Sequence, residues 1–421
     1  MRIGIVLYAI NNPGGILNHT EQLAQGLREL GHTVDLLSLE WKDKPLKGKV
    51  TGGSDESVFG IKFHPYKGWD LTAEMRVPYK GPMLSSAKAR LGSYDGLIWT
   101  IPCPRKKKET KGDTDWLELY SSCPRNVGIV HDGNLVTYYS NITRTLPWMS
   151  GLACVHPCAL ASTNDLTGNA QLVVNPFAPL ETIPGSFNRK PGWYAGQTFK
   201  GWKRVDNVIR AARFMTPDLR KVVAGGGIEQ CYMVSPDKCK PQYFHEDGVR
   251  IWDAAIDNGM DYLGFISGRE RDLHLRNLTA AVDPSYSKAY AKLGSHFNRT
   301  LIEPMRMGCV PIAEEAVTEH AGWLEAGVHY VGIPLDTGPQ EYAAIVEEAC
   351  RKPEGAVDRD AQRDFLQRFD RKLVAQQYVD MLESPIPGWS WSEAVETKAA
   401  KIMEHFAPEP VETSSGPGEI T

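Results

Sequence analysis

The chain has 421 residues, enough for two or three domains. A hydrophobic fraction of 42% and a charged fraction of 23% are those of an ordinary soluble globular protein, and no apolar run approaches the roughly 20 residues that cross a bilayer. The net charge of −4 excludes a globally basic nucleic-acid binder but leaves room for a local basic groove.

The cysteines and the first residues indicate an intracellular protein. The eight cysteines are scattered without a Cys-x-x-Cys pair, which predicts reduced and mostly buried thiols. Residues 1–7 turn polar too quickly for a signal peptide and predict a first buried strand. Cys154 and Cys158 flank His156, so a metal site is conceivable, but no second ligand cluster supports it. We interpret these three residues as core and expect no metal site.

A strand, a loop and a helix open the chain and predict a parallel sheet. Residues 2–8 are apolar, the loop 11–15 is Asn-Asn-Pro-Gly-Gly, and residues 17–30 have helical periodicity. The next apolar run, 33–39, completes a βαβ unit, whose two strands are parallel. Further buried strands of this half are predicted at residues 94–101, 126–130 and 171–174.

Four prolines between residues 175 and 191 predict a crossing into a second α/β domain. Its strands are predicted at 192–196, 220–224, 261–265 and 280–282, and its helices at 200–215 and 269–278. Residues 358–383 also have helical periodicity. Two consecutive doubly wound domains with a cleft between them are the simplest account. We assign 1–185 to the first domain, 190–375 to the second, 376–406 to carboxyl-terminal helices that could cross back, and 407–421 to a disordered tail.

One glutamate is placed where such sheets bind nucleotides. Glu303 opens an amphipathic run that stops at Gly308, and a buried strand with the turn Asp283-Pro-Ser285 precedes it. This pattern predicts strand, loop, helix and strand, with the carboxylate beside the carboxyl end of a parallel strand. A carboxylate there can accept two hydrogen bonds from a ribose diol.

Two turns could hold a phosphate. Gly14 and Gly15 lie in the first βα loop, where backbone amides at a helix start can approach a diphosphate, although a plain loop also explains them. Lys200 follows a predicted strand and can neutralise phosphate oxygens, with Lys203 and Arg204 close behind. A solvated lysine at a helix start explains Lys200 equally well.

Two further segments follow strands of the first half. His131-Asp132-Gly133 places a histidine where a reacting group would sit, although an Asp-Gly turn is an equal explanation. A basic run after the strand 94–101 could hold a phosphate-bearing acceptor at the cleft edge, although most such runs are solvated loops. The basic residues are Arg105, Lys106, Lys107, Lys108 and Lys111.

With these residues in view, the chain resembles the retaining, nucleotide-sugar-dependent glycosyltransferases of the GT-B architecture. In that α/β architecture two Rossmann-like doubly wound domains face each other across a cleft. The resemblance is best over 192–320, where 194–202 is similar to the family's phosphate turn and 302–312 to its glutamate helix. Within this class the chain is most similar to the bacteriophage DNA α-glucosyltransferases that act on 5-hydroxymethylcytosine. That similarity comes from the His-Asp turn, the compact phosphate turn and Gly-Cys-Val-Pro after the glutamate helix.

The resemblance implies a role for each matching residue. Glu303 would bind the donor ribose, and the backbone of the glycine pair would approach the diphosphate. The catalytic set would be His131 against the transferring sugar, Asp132 alongside it, and Lys200 on the diphosphate. The donor-binding set would be Gly14, Gly15, Gln197, Lys200, Arg204 and Glu303.

Two positions depart from the family's pattern. The family's arginine before the lysine is Gln197 here, so phosphate neutralisation falls more on the basic residues that follow. The family's first acidic residue, eight positions before Glu303, is Ser295. Because that residue helps to hold the donor sugar in the family, its loss leaves the donor's identity open.

The implied reaction moves a sugar from a UDP-sugar, UDP-glucose above all, to a hydroxyl with retention and without a required metal. The implied acceptor is 5-hydroxymethylcytosine, or a related modified base, in double-stranded DNA in the cytoplasm of an infected bacterium. We expect a monomer. We also expect that the protein does not bind membranes, since Arg28 is the only Lys or Arg of the first predicted helix. A cell-envelope polysaccharide or glycolipid glycosyltransferase and a non-catalytic sugar-nucleotide-binding protein stay open as alternatives.

Overall fold

A computed structural model gives the fold. It describes residues 1–7, 15–40, 56–57, 60–63, 71–73, 75–78, 84–102, 118–131, 145–157, 159–160, 163, 170–179, 189–198, 203–226, 251–264, 266, 268–285, 299–315 and 324–384. Within these ranges the chain forms two large parallel sheets covered by helices. This α/β architecture of two doubly wound domains is the one that the alternating strand and helix pattern predicts.

The first large sheet forms from the apolar runs of the amino-terminal half. Ile3 and Ile5 are fully buried, as expected for a strand covered on both faces. The described strands are β1 (Arg2–Leu7), β2 (Thr33–Glu40), β3 (Glu56–Ser57), β4 (Gly60–Phe63), β5 (Leu71–Ala73), β6 (Met75–Pro78), β7 (Gly96–Trp99), β8 (Asn126–Val130), β9 (Gly151–Cys154) and β10 (Ala170–Leu172). Seven of them pair in parallel in the order β10-β9-β8-β7-β1-β2-β6, and β3, β4 and β5 form a small antiparallel sheet.

The second large sheet has the strand order of a Rossmann fold. Its described strands are β11 (Lys190–Thr198), β12 (Arg220–Gly226), β13 (Asp261–Tyr262), β14 (Leu278–Asp283), β15 (Val310–Glu314) and β16 (Val331–Ile333). All six are parallel, in the order β13-β12-β11-β14-β15-β16. The strand order therefore reverses between β11 and β14, and ligands of such sheets bind outside the carboxyl ends of the strands at that switch point.

Helices cover both sheets. The described ones are α1 (Gly15–Glu29), α2 (Leu84–Leu91), α3 (Val205–Ala212), α4 (Ile251–Asp257), α5 (Gly268–Asn277), α6 (Arg299–Arg306), α7 (Pro339–Arg351), α8 (Arg359–Gln367) and α9 (Arg371–Glu383). No helix in the described ranges is long and apolar enough to span a bilayer. The four described cysteines, at 123, 154, 309 and 350, are buried free thiols.

Two predicted helices have different bounds in the structure. The helix predicted at 200–215 begins only after Arg204, whose backbone is left-handed with φ 46°. The periodicity at 358–383 divides into α8 and α9, because the Asp370 carboxylate accepts hydrogen bonds from the amides of Lys372 and Leu373 and so starts a new helix.

The last described helix returns to the first sheet. Helix α9 follows the second domain in the chain but contacts α1, β8 and β9. The approach is close at Gly26 of α1, where a Cβ atom would collide with the carbonyl oxygen of Arg371. The first sheet is thus covered in part by residues that lie far beyond it in the sequence.

Candidate active site

The residue predicted to bind a ribose lies beside the switch point of the second sheet. Glu303 lies on α6, which follows β14 in the chain and contacts both β14 and β15. The helix start is tied to the strand end, because the Asp283 carboxylate accepts from the amide of Ser285 at 3.0 Å and from the hydroxyl of Thr300. The Asp283 carboxylate therefore joins the strand end to the start of the helix that carries Glu303.

Two arginines hold Glu303. Arg271 of α5 donates from Nη1 to Oε2 over 2.6 Å, and Arg299 donates from Nε to Oε1 over 3.1 Å. Glu303 is only 6% exposed. Burial alone would raise the pKa of this carboxyl, but the charges of Arg271 and Arg299 outweigh that effect and hold the pKa below its usual range. The carboxylate is therefore ionised at neutral pH, and its remaining lone pairs can accept hydrogen bonds from a diol.

The arginines of α6 also contact the segment that leaves the first domain. The guanidinium carbons of Arg299 and Arg306 lie 4.3 and 4.9 Å from the centre of the Phe177 ring. Arg306 also donates to the carbonyl oxygen of Ala178. The glutamate helix is thereby attached to the crossing between the two sheets through cation–π contacts.

Two histidines lie on the side of the first sheet. His131 comes directly after β8, and its ring meets that of His19 edge-on, with centroids 5.1 Å apart. His19 is fully buried between the amide oxygen of Asn175, 2.9 Å from Nδ1, and the hydroxyl of Tyr378, 3.1 Å from Nε2. Nδ1 therefore carries the proton, and Nε2 accepts from the tyrosine.

The pKa of His19 depends on its burial and on a charge of the second domain. Burial, and to a smaller extent the charge of Arg299, lower the pKa of His19 to about 4. His19 is therefore neutral at physiological pH, and its ring is close enough to α6 for the Arg299 charge to act on it. Arg299 thus relates the candidate residues of the two sheets, because its charge acts on His19 and its side chain holds Glu303.

A third feature lies on the opposite face of the second sheet. Arg204 pairs through Nη1 with the carboxylate of Glu314 at 3.1 Å, and Glu314 is only 1% exposed. Burial raises the pKa of Glu314 to about 7, although Arg204 lowers it in part.

Arg204 also lines a cavity of about 250 Å³ between the starts of α3 and α7, together with Asn207, Arg210, Leu335, Asp336, Thr337, Pro339 and Tyr342. Arg204 thus forms an ion pair with a buried carboxylate, and its role in donor binding stays a prediction.

Several predicted site residues lie outside the described ranges. They are Gly14, Arg105, Lys106, Lys107, Lys108, Lys111, Asp132, Lys200 and Ser295. For Gly15 and Gln197 only the backbone is described: Gly15 opens α1 and Gln197 lies in β11, near its carboxyl end. In the described part of the chain no group of three or more His, Cys, Asp or Glu residues could hold a metal ion.

Sequence reasoning missed four residues of this region. Arg271 and Phe177 lie 32 and 126 residues before Glu303, so no spacing relates them to it. Tyr378 reaches His19 from α9, across most of the chain. Arg299 carried a usable signal, since it stands four residues before Glu303 on one helix and such pairs share a face.

Comparisons with known proteins support the fold. No protein-family profile and no curated protein sequence matches the chain. Among solved structures, HepE of Anabaena in complex with UDP-glucose superposes with a TM-score of 0.60 at 16% identity, over 91% of this chain and 100% of that one. An α-glucosyltransferase bound to UDP and a DNA 13-mer with an HMU base gives a TM-score of 0.60 at 14% identity, over 91% and 99%. The lipopolysaccharide outer core galactosyltransferase WaaB gives 0.54 at 13% identity, over the same shares. The chain has the GT-B fold of these glycosyltransferases.

Proposed function

We propose that this chain is a glycosyltransferase that moves a sugar from a UDP-sugar to a hydroxyl acceptor with retention at the anomeric carbon. The observation that carries the proposal is Glu303, an ionised carboxylate clamped beside the switch point of the second sheet. A UDP ribose offers two neighbouring hydroxyls to such a carboxylate. Solved structures of the same fold hold UDP-glucose, so UDP-glucose is the first donor to test.

The donor phosphates need positive charge where the glycosidic bond breaks. In this proposal Lys200 and the backbone amides of the first βα loop stabilise the leaving diphosphate, whose negative charge grows in the transition state. Gln197 stands where the family has an arginine, so this position supplies no positive charge. In this proposal the arginines around Glu303 add to the positive potential at the diphosphate. Lysine, arginine and amides take the part of a metal cation, so turnover should persist in excess EDTA.

The first sheet contributes the acceptor side. His131, with His19 behind it, would contact the transferring sugar, while Asp132 lies next to His131 in the chain. A covalent double displacement needs a carboxylate nucleophile at the anomeric carbon. Glu303 is held by two arginines and Asp283 by its own turn, and by analogy with the family we favour a front-face route in which a diphosphate oxygen takes the acceptor proton. Closure of the cleft would exclude water and limit donor hydrolysis.

We propose 5-hydroxymethylcytosine, or a related modified base, in duplex DNA as the acceptor. The fold matches α-glucosyltransferase structures that contain DNA, and the basic run at residues 105–111 could bind phosphates. A base inside a duplex is not reachable by the donor sugar, so the target must flip out of the stack. Binding should then weaken steeply with salt, because each phosphate contact releases counterions.

A cell-envelope acceptor is the second candidate. It is favoured by the match to WaaB, a lipopolysaccharide galactosyltransferase. Its TM-score of 0.54 is lower than the 0.60 of the DNA-bound structure. Helix α1 carries a single basic residue, Arg28, in its last turn, which is unlike the Lys- and Arg-rich helices that lie on anionic lipid.

One experiment separates the candidates. The protein is incubated with a panel of UDP-sugars and with unmodified, hydroxymethylcytosine and hydroxymethyluracil duplexes, and UDP release is measured. The DNA is then digested, and its nucleosides are weighed by mass spectrometry. We expect UDP release only with a modified duplex, together with a nucleoside heavier by one sugar.

Each other outcome identifies an alternative. Release with a lipid-linked or polysaccharide acceptor, and none with DNA, would favour the envelope enzyme. UDP binding without release under any acceptor would favour a non-catalytic binding protein. Near-normal turnover of Lys200→Ala at saturating donor would remove Lys200 from the phosphate site.

A further inference from the structure

The two connections between the sheets meet at one residue. The amide of Phe177 donates to the carbonyl oxygen of Phe369, and the amide of Arg371 donates to the carbonyl oxygen of Phe177, both over 2.8 Å. Phe177 and Asp370 thereby form a parallel bridge. We call Phe177 with residues 369–371 the crossing junction. The chain passes it once on leaving the first sheet and again on returning from the second.

The crossing junction is anchored to the first sheet. The side chain of Arg371 donates to Gln22, Gln25 and Glu29, which lie along one face of α1. Helix α9 continues from the junction and also contacts β8 and β9. The junction is therefore bound to the first sheet both through the Arg371 side chain and through helix α9.

On its other side the junction contacts the helix that carries Glu303. The ring of Phe177, only 3% exposed, faces the guanidinium groups of Arg299 and Arg306. The guanidinium carbon of Arg299 lies 4.3 Å from the ring centre, and arginine stacks on aromatic faces, so the ring limits the orientations open to the guanidinium. The Nε–H bond of Arg299 reaches Oε1 of Glu303. The Phe177 ring thus contacts the arginine that holds one oxygen of the carboxylate.

We propose that Phe177 and Arg299 are positioning residues for Glu303, so that the crossing junction sets the geometry of the donor site. This inference rests on the proposed role of Glu303 in binding the donor ribose. It adds that donor affinity depends on a ring that lies outside the second sheet. A lysine at position 299 keeps the charge but lacks the planar group that the ring orients.

The test compares two buried phenylalanines. Phe177→Leu removes the ring that faces Arg299, whereas Phe365→Leu removes a ring of equal burial, 3% exposed, that contacts His329 and Phe369 of the junction and so controls for lost packing there. Donor KM and kcat are measured for both variants, and UDP affinity is measured by calorimetry. We expect Phe177→Leu to raise the donor KM and the UDP Kd about tenfold with a smaller change in kcat, and Phe365→Leu to change them less than about twofold. Equal effects of the two variants would overturn the proposal.

A second pair of variants covers a failure of Phe177→Leu to fold. Arg299→Gln and Arg306→Gln each remove one positive charge near Glu303, but only Arg299 donates a hydrogen bond to it. We expect the loss of UDP affinity for Arg299→Gln to be at least about fivefold larger than for Arg306→Gln. Arg299→Lys should recover little of the loss. Full recovery by lysine would show that charge alone matters and would overturn the proposal.

UDP binding and release by the wild-type protein distinguish failure of the proposed function from failure of the positioning role. If the wild-type protein neither binds UDP nor releases it from UDP-glucose, the proposed function fails. The junction is then tested by amide hydrogen exchange in α6, which should be faster in Phe177→Leu than in Phe365→Leu. Wild-type binding with unchanged affinity in Phe177→Leu and Arg299→Gln leaves the proposed function intact and contradicts the positioning role.

Discussion

Arg271 and Glu303 form a close ion pair between α5 and α6, with 2.6 Å between Nη1 and Oε2. Arg271 is also bound to its neighbour Asp272, at 2.9 Å from Nη2 to Oδ1. Taking a carboxylate out of water is costly unless a cation and hydrogen bonds compensate. Arg271 therefore helps, together with Arg299, to keep Glu303 charged while nearly buried, and that charge is what a ribose diol would recognise.

Replacing Arg271 with Gln should raise the pKa of Glu303, because burial then acts against fewer positive charges. The carboxylate would protonate at a higher pH, so the acid limb of kcat/KM for the donor should move up by about one pH unit. Breaking the pair should also lower the free energy of unfolding by about 3 kcal/mol. The measurements are a pH profile and urea unfolding. Arg271→Lys is the control and should shift the limb less; an unmoved limb in Arg271→Gln would contradict the role of the pair.

Most strands of the two large sheets were predictable because their signal is local, whereas β6, β9 and β16 were not predicted. Runs such as residues 3–7 and 280–282 are apolar and buried, as strands between two helix layers must be. The helix bounds were less predictable, because periodicity continues where the backbone does not. The left-handed Arg204 delays α3, and the Asp370 cap divides one periodic stretch into two helices.

Only the part of the candidate site that lies in one continuous segment of sequence was predictable. The position of Glu303 on a helix after a parallel strand was predictable, because strand, turn and helix follow one another within about 30 residues of sequence. Arg271, Phe177 and Tyr378 come from other elements, and only the folded chain brings them to Glu303 and His19. A single sequence holds no pattern that relates residues so far apart.

Tyr378 and His19 should be energetically coupled. Tyr378→Phe removes the hydroxyl that lies 3.1 Å from Nε2 of His19 and leaves that nitrogen buried without its donor, at a cost of about 1–3 kcal/mol. A double-mutant cycle with His19→Leu should give a coupling energy of at least about 1 kcal/mol by urea unfolding. The same cycle with Tyr342→Phe on α7 should be additive within about 0.5 kcal/mol. Additivity in the first cycle would contradict the hydrogen bond.

Buried neutral histidines should make the protein less stable in mild acid. Burial lowers the pKa of His156 to about 4, whereas the unfolded chain has the ordinary value of 6.5. Between these two values the unfolded state binds a proton that the folded state does not, so stability falls as the pH falls. The loss reaches about 3 kcal/mol near pH 4, at 1.36 kcal/mol for each unit of pKa shift.

The variant His156→Gln should flatten this dependence. Urea unfolding at several pH values between 6.5 and 4 should give a slope smaller by up to about 1.4 kcal/mol per pH unit than in the wild type. His32→Gln is the control, because His32 is only partly buried and should change the slope less. A slope equal to that of the wild type in His156→Gln would show that His156 is not neutral in the folded protein.

Arg204 combines a strained backbone with a buried ion pair, and two substitutions separate these effects. Arg204→Ala and Arg204→Gly both remove the pair with Glu314, but only glycine adopts φ 46° without strain. The glycine variant should therefore be more stable than the alanine variant by about 1 kcal/mol in urea unfolding. Because the pKa of Glu314 is raised in the folded protein, this carboxyl binds its proton more tightly there than in the unfolded chain. The free energy of unfolding therefore falls as the pH rises from 4.5 to about 7. Without Arg204 that pKa rises further, so both variants should lose more stability than the wild type between pH 5 and pH 8. A glycine variant no more stable than the alanine variant would mean that the left-handed backbone stores no strain.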